Sequence, residues 1–267
     1  MREVEITEYK TILTELLIEV DRICRKHDIK YSLIAGTLLG AVRHHGFIPW
    51  DDDIDIAMPY EDYDKFAKVI QDYKYELNFI RIDEGHKTCF PYGKICNPKT
   101  VVFEGNLKPI EGYGAYIDVF PIINIPEKKA VPYNKYYKKY LTLYRLASYS
   151  MLTKYTKSNN LVKNFGRAVE FYFTRYIRPE WLVKKIMRDM VKINTTYCNS
   201  KKKAILWERF VYPSELFENQ QEVEFEGHMF FGTNNPDAFL KEMFGDYMKL
   251  PPESERILKH GLKCFYK

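Results

Sequence analysis

The sequence predicts a mixed α/β (α+β) fold in which a mainly helical, basic insertion interrupts the sheet-forming part of the chain. Its 267 residues are enough to bury a large core. Strand-like and helical hydrophobic periodicities alternate in the first half of the chain, a pattern typical of a sheet flanked by helices. Charge is concentrated in one region, because residues 127–203 contain 19 Lys or Arg and four acidic residues.

The charge distribution divides the chain into three predicted parts. Residues 127–203 carry a net charge of +15 in a chain of net charge +5, so the remainder carries −10. We predict that residues 1–126 form the core with an N-terminal helix, that residues 127–203 form a basic helical region, and that residues 204–267 complete the core.

The elements of the first half follow from hydrophobic spacing and from Gly, Pro and Asn between the apolar runs. An amphipathic helix is expected first, followed by a strand, a tight turn at Gly36-Thr37 and a second helix. A strand of alternating acidic and apolar residues comes next, and Pro59 ends it. The expected helices are 5–27, 38–42 and 61–73, and the expected strands are 31–34, 53–58, 75–82, 90–96, 100–103 and 113–120.

The second half is predicted to be mainly helical. Apolar and aromatic residues at helical spacing indicate helices at about 132–156, 160–176 and 180–197. A hairpin around Glu226-Gly227 is expected at 223–231. A short helix that begins with a proline is expected at 236–244.

The terminus and the cysteines indicate the compartment. The first residues are charged and lack the apolar region of a secretory signal. No run of 18 apolar residues is present in the sequence, so no spanning helix is predicted. The five cysteines form no CxxC pair, which favours reduced thiols. We expect a cytoplasmic protein, either soluble or attached peripherally to the inner face of the cell membrane.

Three aspartates are the candidate catalytic residues. Asp53 and Asp55 alternate with Ile54 and Ile56, so on a strand both carboxylates project to one face with roughly 6.6 Å between their Cα atoms. Oxygen ligands of this kind suit Mg²⁺ or Mn²⁺. Asp118 lies in an apolar strand, where burial of a carboxylate has a high free-energy cost unless the group is paired or bound to metal. It is a candidate third ligand or proton acceptor. The alternative, a solvated acidic loop, is disfavoured by the alternation with isoleucine.

These residues resemble a known family. A Gly-Thr turn at Gly36-Thr37, an Asp-x-Asp strand and a third Asp on a later strand are similar to the nucleotidyltransferase superfamily. The longer strings at 35–44 (AGTLLGAVRH), 46–55 (GFIPWDDDID), 117–121 (IDVFP) and 244–252 (FGDYMKLPP) resemble the LicD family. The resemblance implies a nucleotidyltransferase-like mixed sheet with flanking helices.

The resemblance also implies an activity and a set of site residues. It implies metal-dependent transfer of phosphocholine from CDP-choline to a sugar hydroxyl of a cell-surface glycan, with release of CMP. The implied acceptor is a lipid-linked oligosaccharide, a teichoic acid precursor. Asp53, Asp55 and Asp118 would be the metal and catalytic acids. Gly36 and Thr37 would contact the donor pyrophosphate.

Further residues near these motifs are weaker candidates. Arg43 and Lys94 are candidate phosphate contacts, with ordinary surface charge as the alternative for each. Trp50, beside the acids, is the aromatic candidate for the choline group, with structural packing as the favoured alternative. His44 and His45 are alternative bases, but a metal-assisted reaction does not require them.

Alternative functions remain open at this stage. The basic region suits a solvated face, a surface for an anionic membrane and a lipid-linked acceptor, or nucleic acid. The resemblance favours the membrane and disfavours nucleic acid. The chemistry alternatives are transfer of another phosphoalcohol such as ribitol phosphate, nucleotidyl transfer from a nucleoside triphosphate, and a nucleotide-binding scaffold without activity.

Overall fold

A computed structural model describes residues 1–73, 76–82, 85–127, 131–155, 157, 159–206, 208–258 and 262–267, without the side chains of residues 131 and 132. The helices are α1 (Ile6–Lys26), α2 (Ala35–His44), α3 (Tyr60–Val69), α4 (Val131–Ser150), α5 (Leu161–Thr174), α6 (Pro179–Thr196) and α7 (Pro236–Phe244). The strands are β1 (Ser32–Leu33), β2 (Asp55–Pro59), β3 (Asn78–Ile80), β4 (Gly93–Cys96), β5 (Thr100–Glu104), β6 (Tyr116–Asn124), β7 (Lys202–Ile205), β8 (Tyr212–Pro213), β9 (Gln221–Phe225), β10 (His228–Gly232) and β11 (Leu262–Tyr266).

Within these ranges, strand β6 is the centre of a seven-stranded mixed sheet. On one side it pairs in parallel with β2, which pairs antiparallel with β1. On the other side, the first half of β6 pairs antiparallel with β4 and its last residues pair with β7. Strands β3 and β8 lie outside β4 and β7. The predicted mixed α/β fold is confirmed.

The three helices of the basic region lie, in chain order, between two strands that pair with each other in the sheet. Ile122 of β6 lies opposite Ile205 of β7, although α4, α5 and α6 separate them in the chain. Helix α4 packs against α5 and α6, and α6 packs against β6. At that contact the Asn194 side-chain oxygen accepts hydrogen bonds from the backbone and side-chain amides of Asn124, at 2.8 and 2.9 Å. The chain therefore leaves the sheet after β6, forms three helices and returns to the sheet at β7.

The core lies between this sheet and the helices that cover it. Helix α1 turns a stripe of buried apolar side chains towards the sheet and contacts β6. Ile54 and Ile56 are fully buried. Each buried side chain of this type stabilises the fold by roughly 1.5–3 kcal/mol. The C-terminal strand β11 pairs with β5, and the Val4 N–H donates to the Cys264 carbonyl at 2.9 Å, so both ends of the chain join the core.

Most predicted elements are present near their expected positions. Helices α1, α3, α5, α6 and α7 and the β9–β10 hairpin are confirmed. The hairpin turns at Glu226 and Gly227, which have φ values of 49° and 74°, as a type I′ turn requires. The predicted strand at 75–82 is shorter, Asn78–Ile80, and residue 75 lies outside the described residues.

Several predicted boundaries were wrong; the strand predicted at 113–120, for example, is Tyr116–Asn124. Helix α2 begins at Ala35, because the Leu38 N–H donates to the Ile34 carbonyl at 3.0 Å. The Gly36-Thr37 pair is therefore in the first helical turn and not in a turn before the helix. Strand β2 begins at Asp55, so Asp53 lies in the extended segment before it.

The end of helix α4 also differs from the prediction. The sequence predicted a helix to about residue 156, which lies outside the described residues, but α4 ends at Ser150. Lys108 explains the early end, because its side chain donates to the Ser150 carbonyl and its backbone N–H to the Met151 carbonyl, both at 2.8 Å. These contacts occupy carbonyls that further helical turns would use.

Candidate active site

Three charged side chains form a row across the centre of the sheet. The parallel register of β2 and β6 sets Asp55 opposite Asp118, and the antiparallel register of β4 and β6 sets Lys94 opposite Asp118. Neighbouring strands lie about 4.8 Å apart, and directly opposed residues project to the same face. The sheet therefore brings together Asp55 and Asp118, which are far apart in the chain.

The position of Asp55 is fixed by the segment around the start of α2. The Asp55 backbone N–H donates to the Thr37 hydroxyl at 2.8 Å, and the Asp55 carbonyl accepts from the Ile34 N–H at 3.2 Å. Thr37 is only 3% exposed. Its side chain thus holds the beginning of β2, and the contact of Gly36 and Thr37 with the donor phosphates stays a prediction.

Gly36 lies where the N-terminus of α2 meets the acidic segment. A Cβ atom at this position would lie 2.6 Å from Asp51 Oδ2, so glycine permits this close approach. The first N–H groups of a helix have no intrahelical partner and favour anionic ligands. The N-terminus of α2 is therefore suited to the phosphate groups of a ligand.

A cavity of about 440 Å³ opens at this point. Its walls come from α2, from the acidic segment before β2, and from the segment that follows α7. The lining residues are Gly36, Leu39, Arg43, Ile48, Trp50, Asp51, Asp53, Asp55, Phe244, Asp246, Tyr247, Lys249 and Pro251. Of the predicted site residues, Asp53, Asp55, Gly36, Arg43 and Trp50 meet there.

The acids around this cavity crowd one another. Burial raises the pKa of Asp55 well above its usual range, and the neighbouring Asp53, Asp118 and Asp51 carboxylates raise this pKa further, while Lys94 opposes the increase. Repulsion of this kind is relieved when a cation binds.

The acidic residues fit a metal site in which the protein supplies one or two ligands and the substrate phosphates and water supply the others. Across the described ranges, no three or more His, Cys, Asp or Glu side chains come together in an arrangement that could hold a metal ion. Mg²⁺ commonly binds through one or two carboxylates together with substrate phosphates and water. Asp53 and Asp55, which line one cavity, match that arrangement. The metal roles of Asp53, Asp55 and Asp118 stay predictions.

Lys94 does not reach the cavity surface. Its side chain is 2% exposed, and its Nζ lies 2.5 Å from Asp118 Oδ1. Four aromatic ring centroids surround the ammonium group at 3.6 to 5.8 Å; they belong to Phe90, Tyr92, Tyr113 and Tyr116. The predicted phosphate contact by Lys94 is replaced by an ion pair with Asp118 inside an aromatic cage.

Arg43 and Trp50 line the cavity, and both hold the C-terminal segment. The Arg43 guanidinium donates to the Tyr247 carbonyl at 2.5 Å. The Arg256 guanidinium lies 5.5 Å from the centre of the Trp50 ring and donates to the Pro251 carbonyl at 2.8 Å. These contacts attach the segment after α7 to the rest of the cavity wall.

The two histidines lie beside the cavity without lining it. Burial, together with the charge of Arg43, lowers the pKa of His44, whose ring packs edge-on against Trp50. His45 is 70% exposed, and its Nδ1 lies 3.7 Å from a Glu224 carboxylate oxygen. The geometry gives neither histidine a place among the lining residues.

Sequence reasoning missed part of the lining. Asp51 and the residues Asp246, Tyr247 and Lys249 were not candidates, although they line the cavity. The string at 244–252 was part of the family resemblance, and that was the available signal. Neither periodicity nor composition indicates that this segment folds back onto α2.

Carboxylates at the start of β2 lie against the N-terminus of α2, as the resemblance to nucleotidyltransferases implies. Residues 28–140 match the family described as "LicD/FKTN/FKRP, nucleotidyltransferase domain". The chain therefore carries a LicD-family domain, and the resemblance drawn from the motifs is confirmed.

Similar proteins extend this match. The chain is 27% identical to lipopolysaccharide cholinephosphotransferase LicD of Haemophilus influenzae over 269 aligned positions, which cover 97% of each chain. Shorter matches link it to uncharacterized proteins of Rickettsia typhi, at 40% identity over 28% of this chain and 24% of the relative, and of Rickettsia prowazekii, at 34% identity over 29% of each.

Proposed function

We propose that this enzyme is a phosphotransferase that moves phosphocholine from CDP-choline to a hydroxyl of a cell-surface glycan and releases CMP. The observation that carries the proposal is the cavity in which Asp53 and Asp55 face Gly36 at the N-terminus of α2. The similarity over 97% of the chain to a lipopolysaccharide cholinephosphotransferase supports the choice of the transferred group.

Asp53 and Asp55 would hold a Mg²⁺ or Mn²⁺ ion in this proposal, with Asp118 as the third acid. The bound ion would neutralise charge on the donor phosphates, which is the main requirement of phosphoryl transfer. Asp118 lies beside Asp55 in the sheet, and its carboxylate would accept the proton of the attacking hydroxyl.

The other lining residues bind and orient the donor. The N–H groups at the start of α2, together with the side chains of Arg43 and Lys249, provide positive potential for the diphosphate. The acceptor oxygen forms a bond to the phosphorus that carries choline, the bond from that phosphorus to the CMP oxygen breaks, and the hydroxyl proton passes to the Asp118 carboxylate. Thr37 acts indirectly, by holding the backbone of Asp55.

The acceptor we propose is a lipid-linked oligosaccharide of the teichoic acid type. The relative from Haemophilus influenzae is named for action on lipopolysaccharide, so both acceptor classes belong in the test. A glycan hydroxyl is the common chemical feature, and the cavity is open on one side to receive it.

A donor comparison tests this function. Purified enzyme with Mg²⁺ and either acceptor is incubated with CDP-choline, with CDP-ribitol or with CTP, and CMP and pyrophosphate are measured beside the mass of the acceptor. We expect CMP release from CDP-choline and an acceptor that gains phosphocholine. Asp72→Asn, a change at an exposed acid outside the cavity, is the matched control and should keep full activity.

The other outcomes identify the alternatives. Turnover of CDP-ribitol alone would show that another phosphoalcohol is transferred. Pyrophosphate release from CTP, with cytidylate on the acceptor, would show nucleotidyl transfer. Thermal stabilisation by CDP-choline and Mg²⁺ without any product would indicate a nucleotide-binding scaffold.

A further inference from the structure

Helix α5 carries six of its large apolar side chains on the outside of the protein. Each of these side chains is 52% to 83% exposed. At 100° per residue they fall within an arc of about 120° on the helix surface. The six residues are Leu161, Val162, Phe165, Val169, Tyr172 and Phe173; we call them the α5 apolar arc.

The inner side of α5 buries only one large apolar side chain. Phe171 and Thr174 are buried there, and Glu170 forms an ion pair with Arg145 of α4. A surface helix normally turns its apolar stripe inwards. The apolar stripe that α5 exposes is as wide as the stripe that a surface helix usually buries against the core. The α5 apolar arc therefore indicates a binding surface.

Aromatic residues extend this surface beyond the end of α5. Tyr176 is 94% exposed, and Trp181, near the start of α6, is 62% exposed. Tyr and Trp are typical of membrane–water interfaces, because their rings are apolar and their polar atoms bond to head groups and water. The exposed surface therefore combines aliphatic residues with the aromatic residues that favour an interface.

Positive charge surrounds the α5 apolar arc. Residues 154–188 contain nine Lys or Arg and two Glu. Beyond the end of α5 a cavity of about 910 Å³ opens, and most of its charged lining residues are basic. They are Lys87, Lys108, Arg175, Arg178 and Lys184, with Glu180 as the acid. A cavity of this composition is suited to anionic head groups.

We infer that the α5 apolar arc and the basic cavity beside it dock the protein onto an anionic phospholipid membrane, with α5 lying in the plane of the interface. A second copy of the chain is a poorer partner, because it would place two strongly basic surfaces against each other. Nucleic acid is also a poorer partner, because the aliphatic side chains of Leu161, Val162 and Val169 would face a polar phosphodiester backbone and gain no apolar burial. An anionic membrane matches both the apolar and the charged part.

The length of α5 is consistent with this arrangement. Its 14 residues extend about 21 Å, which is long enough to lie along a membrane surface. No helix in the described part of the chain is long and apolar enough to cross a membrane. The inference concerns where the protein binds and does not depend on the proposed reaction.

Vesicle flotation tests the inference without measuring activity. The full chain is mixed with vesicles of phosphatidylcholine alone or with 30% phosphatidylglycerol, and the floating fraction is measured. We expect binding only to the anionic vesicles, and a loss of binding at 0.5 M salt. The double variant Phe165→Glu, Tyr172→Glu should lower the partition coefficient by roughly tenfold or more, because two apolar anchors are lost.

A matched variant and two further readouts decide the result. Met229→Glu changes a 49% exposed residue of β10 and should bind vesicles like the wild type. Equal flotation of the double variant and the wild type would overturn the inference, as would wild-type protein that ignores anionic vesicles. A dimer in light scattering that the double variant dissociates, or a fluorescent RNA that only the wild type binds, would assign the surface to those partners instead.

Discussion

Asp118 and Lys94 form the most deeply buried charged contact around the site. The ammonium group is enclosed by four aromatic rings and by the Asp118 carboxylate at 2.5 Å. Buried cations persist when a carboxylate and ring faces replace their water. Asp118 adjoins Asp55 in the sheet register. The ion pair of Asp118 with Lys94 therefore reduces the negative charge next to the cavity.

We predict that Lys94→Met destabilises the protein by about 3–5 kcal/mol, because it leaves the Asp118 carboxylate without its buried partner. Guanidinium denaturation of the wild type and the variant measures the change. The double variant Lys94→Met, Asp118→Asn should recover most of the stability, because neither charge remains. A single variant as stable as the wild type would contradict the ion pair.

Thr37 provides a second test at the same scale. Thr37→Val removes the acceptor of the Asp55 N–H and should cost about 1–2 kcal/mol in stability. The catalytic rate constant should fall by roughly tenfold with KM for the donor nearly unchanged, because Asp55 is displaced. Thr37→Ser keeps the hydroxyl and should restore the rate. Higher KM with an unchanged rate constant would show instead that Thr37 binds the donor directly.

At the scale of elements, α2 and the segment after α7 close the cavity together. Arg43 joins them through the Tyr247 carbonyl and lines the cavity itself. This contact explains how residues near the C-terminus contribute to a site whose acids lie near residue 55.

Arg43→Ala is therefore expected to weaken CDP-choline binding by about tenfold, since one charge-assisted hydrogen bond contributes on the order of 1.5–3 kcal/mol. Titration calorimetry with CDP-choline and Mg²⁺, in the absence of acceptor, measures the dissociation constant. Arg209→Ala, at an exposed arginine outside the cavity, is the control and should bind donor normally. Equal affinity in the Arg43 variant would show that this residue does not support the donor site.

Glu208 connects the basic helical region to the C-terminal part of the protein. Its carboxylate accepts from the Tyr212 hydroxyl at 2.8 Å, and its carbonyl accepts from the Tyr133 hydroxyl of α4 at 2.7 Å. Burial raises the pKa of the Glu208 carboxyl from 4.5 to about 7. Between these two values the folded state binds more protons than the unfolded chain, so this group makes stability fall as the pH rises.

This linkage predicts the pH dependence of a single variant. At pH 8, Glu208→Gln should have a free energy of unfolding higher than that of the wild type by on the order of 1–3 kcal/mol, and it should therefore unfold at a higher guanidinium concentration. This difference should vanish near pH 4.5. Denaturation curves at several pH values between 4.5 and 8 provide the measurement. A constant difference across this range would show that Glu208 does not titrate on unfolding.

At the scale of the whole molecule, local patterns predicted the helices and the main acids but not the pairing of the later strands. Helical spacing is set within a few residues, so α1, α5 and α6 were predictable. Strands β7 and β11 are defined by partners far away in the chain, and short strands of this kind have no local signature.

The same distinction applies to the site. Asp53 and Asp55 lie close together in the sequence and share the cavity as predicted. The partner of Lys94 depends on the register between β4 and β6, which the sequence does not display. The lining by Asp246 and Lys249 depends on a contact across two hundred residues, through Arg43. Local reasoning therefore identified Gly36, Arg43 and Trp50 along with the acids, and missed the lining residues of the C-terminal segment.

The proposed chemistry depends on a divalent ion at Asp53 and Asp55, and the rate of CMP release from CDP-choline as a function of Mg²⁺ concentration tests it most directly. We predict saturable dependence on Mg²⁺, no turnover in EDTA, and a rate lowered by roughly a thousandfold or more in both Asp53→Asn and Asp55→Asn, because charge neutralisation supplies most of the catalysis. Turnover that persists in EDTA, or an Asp55→Asn variant as active as the wild type, would contradict the account.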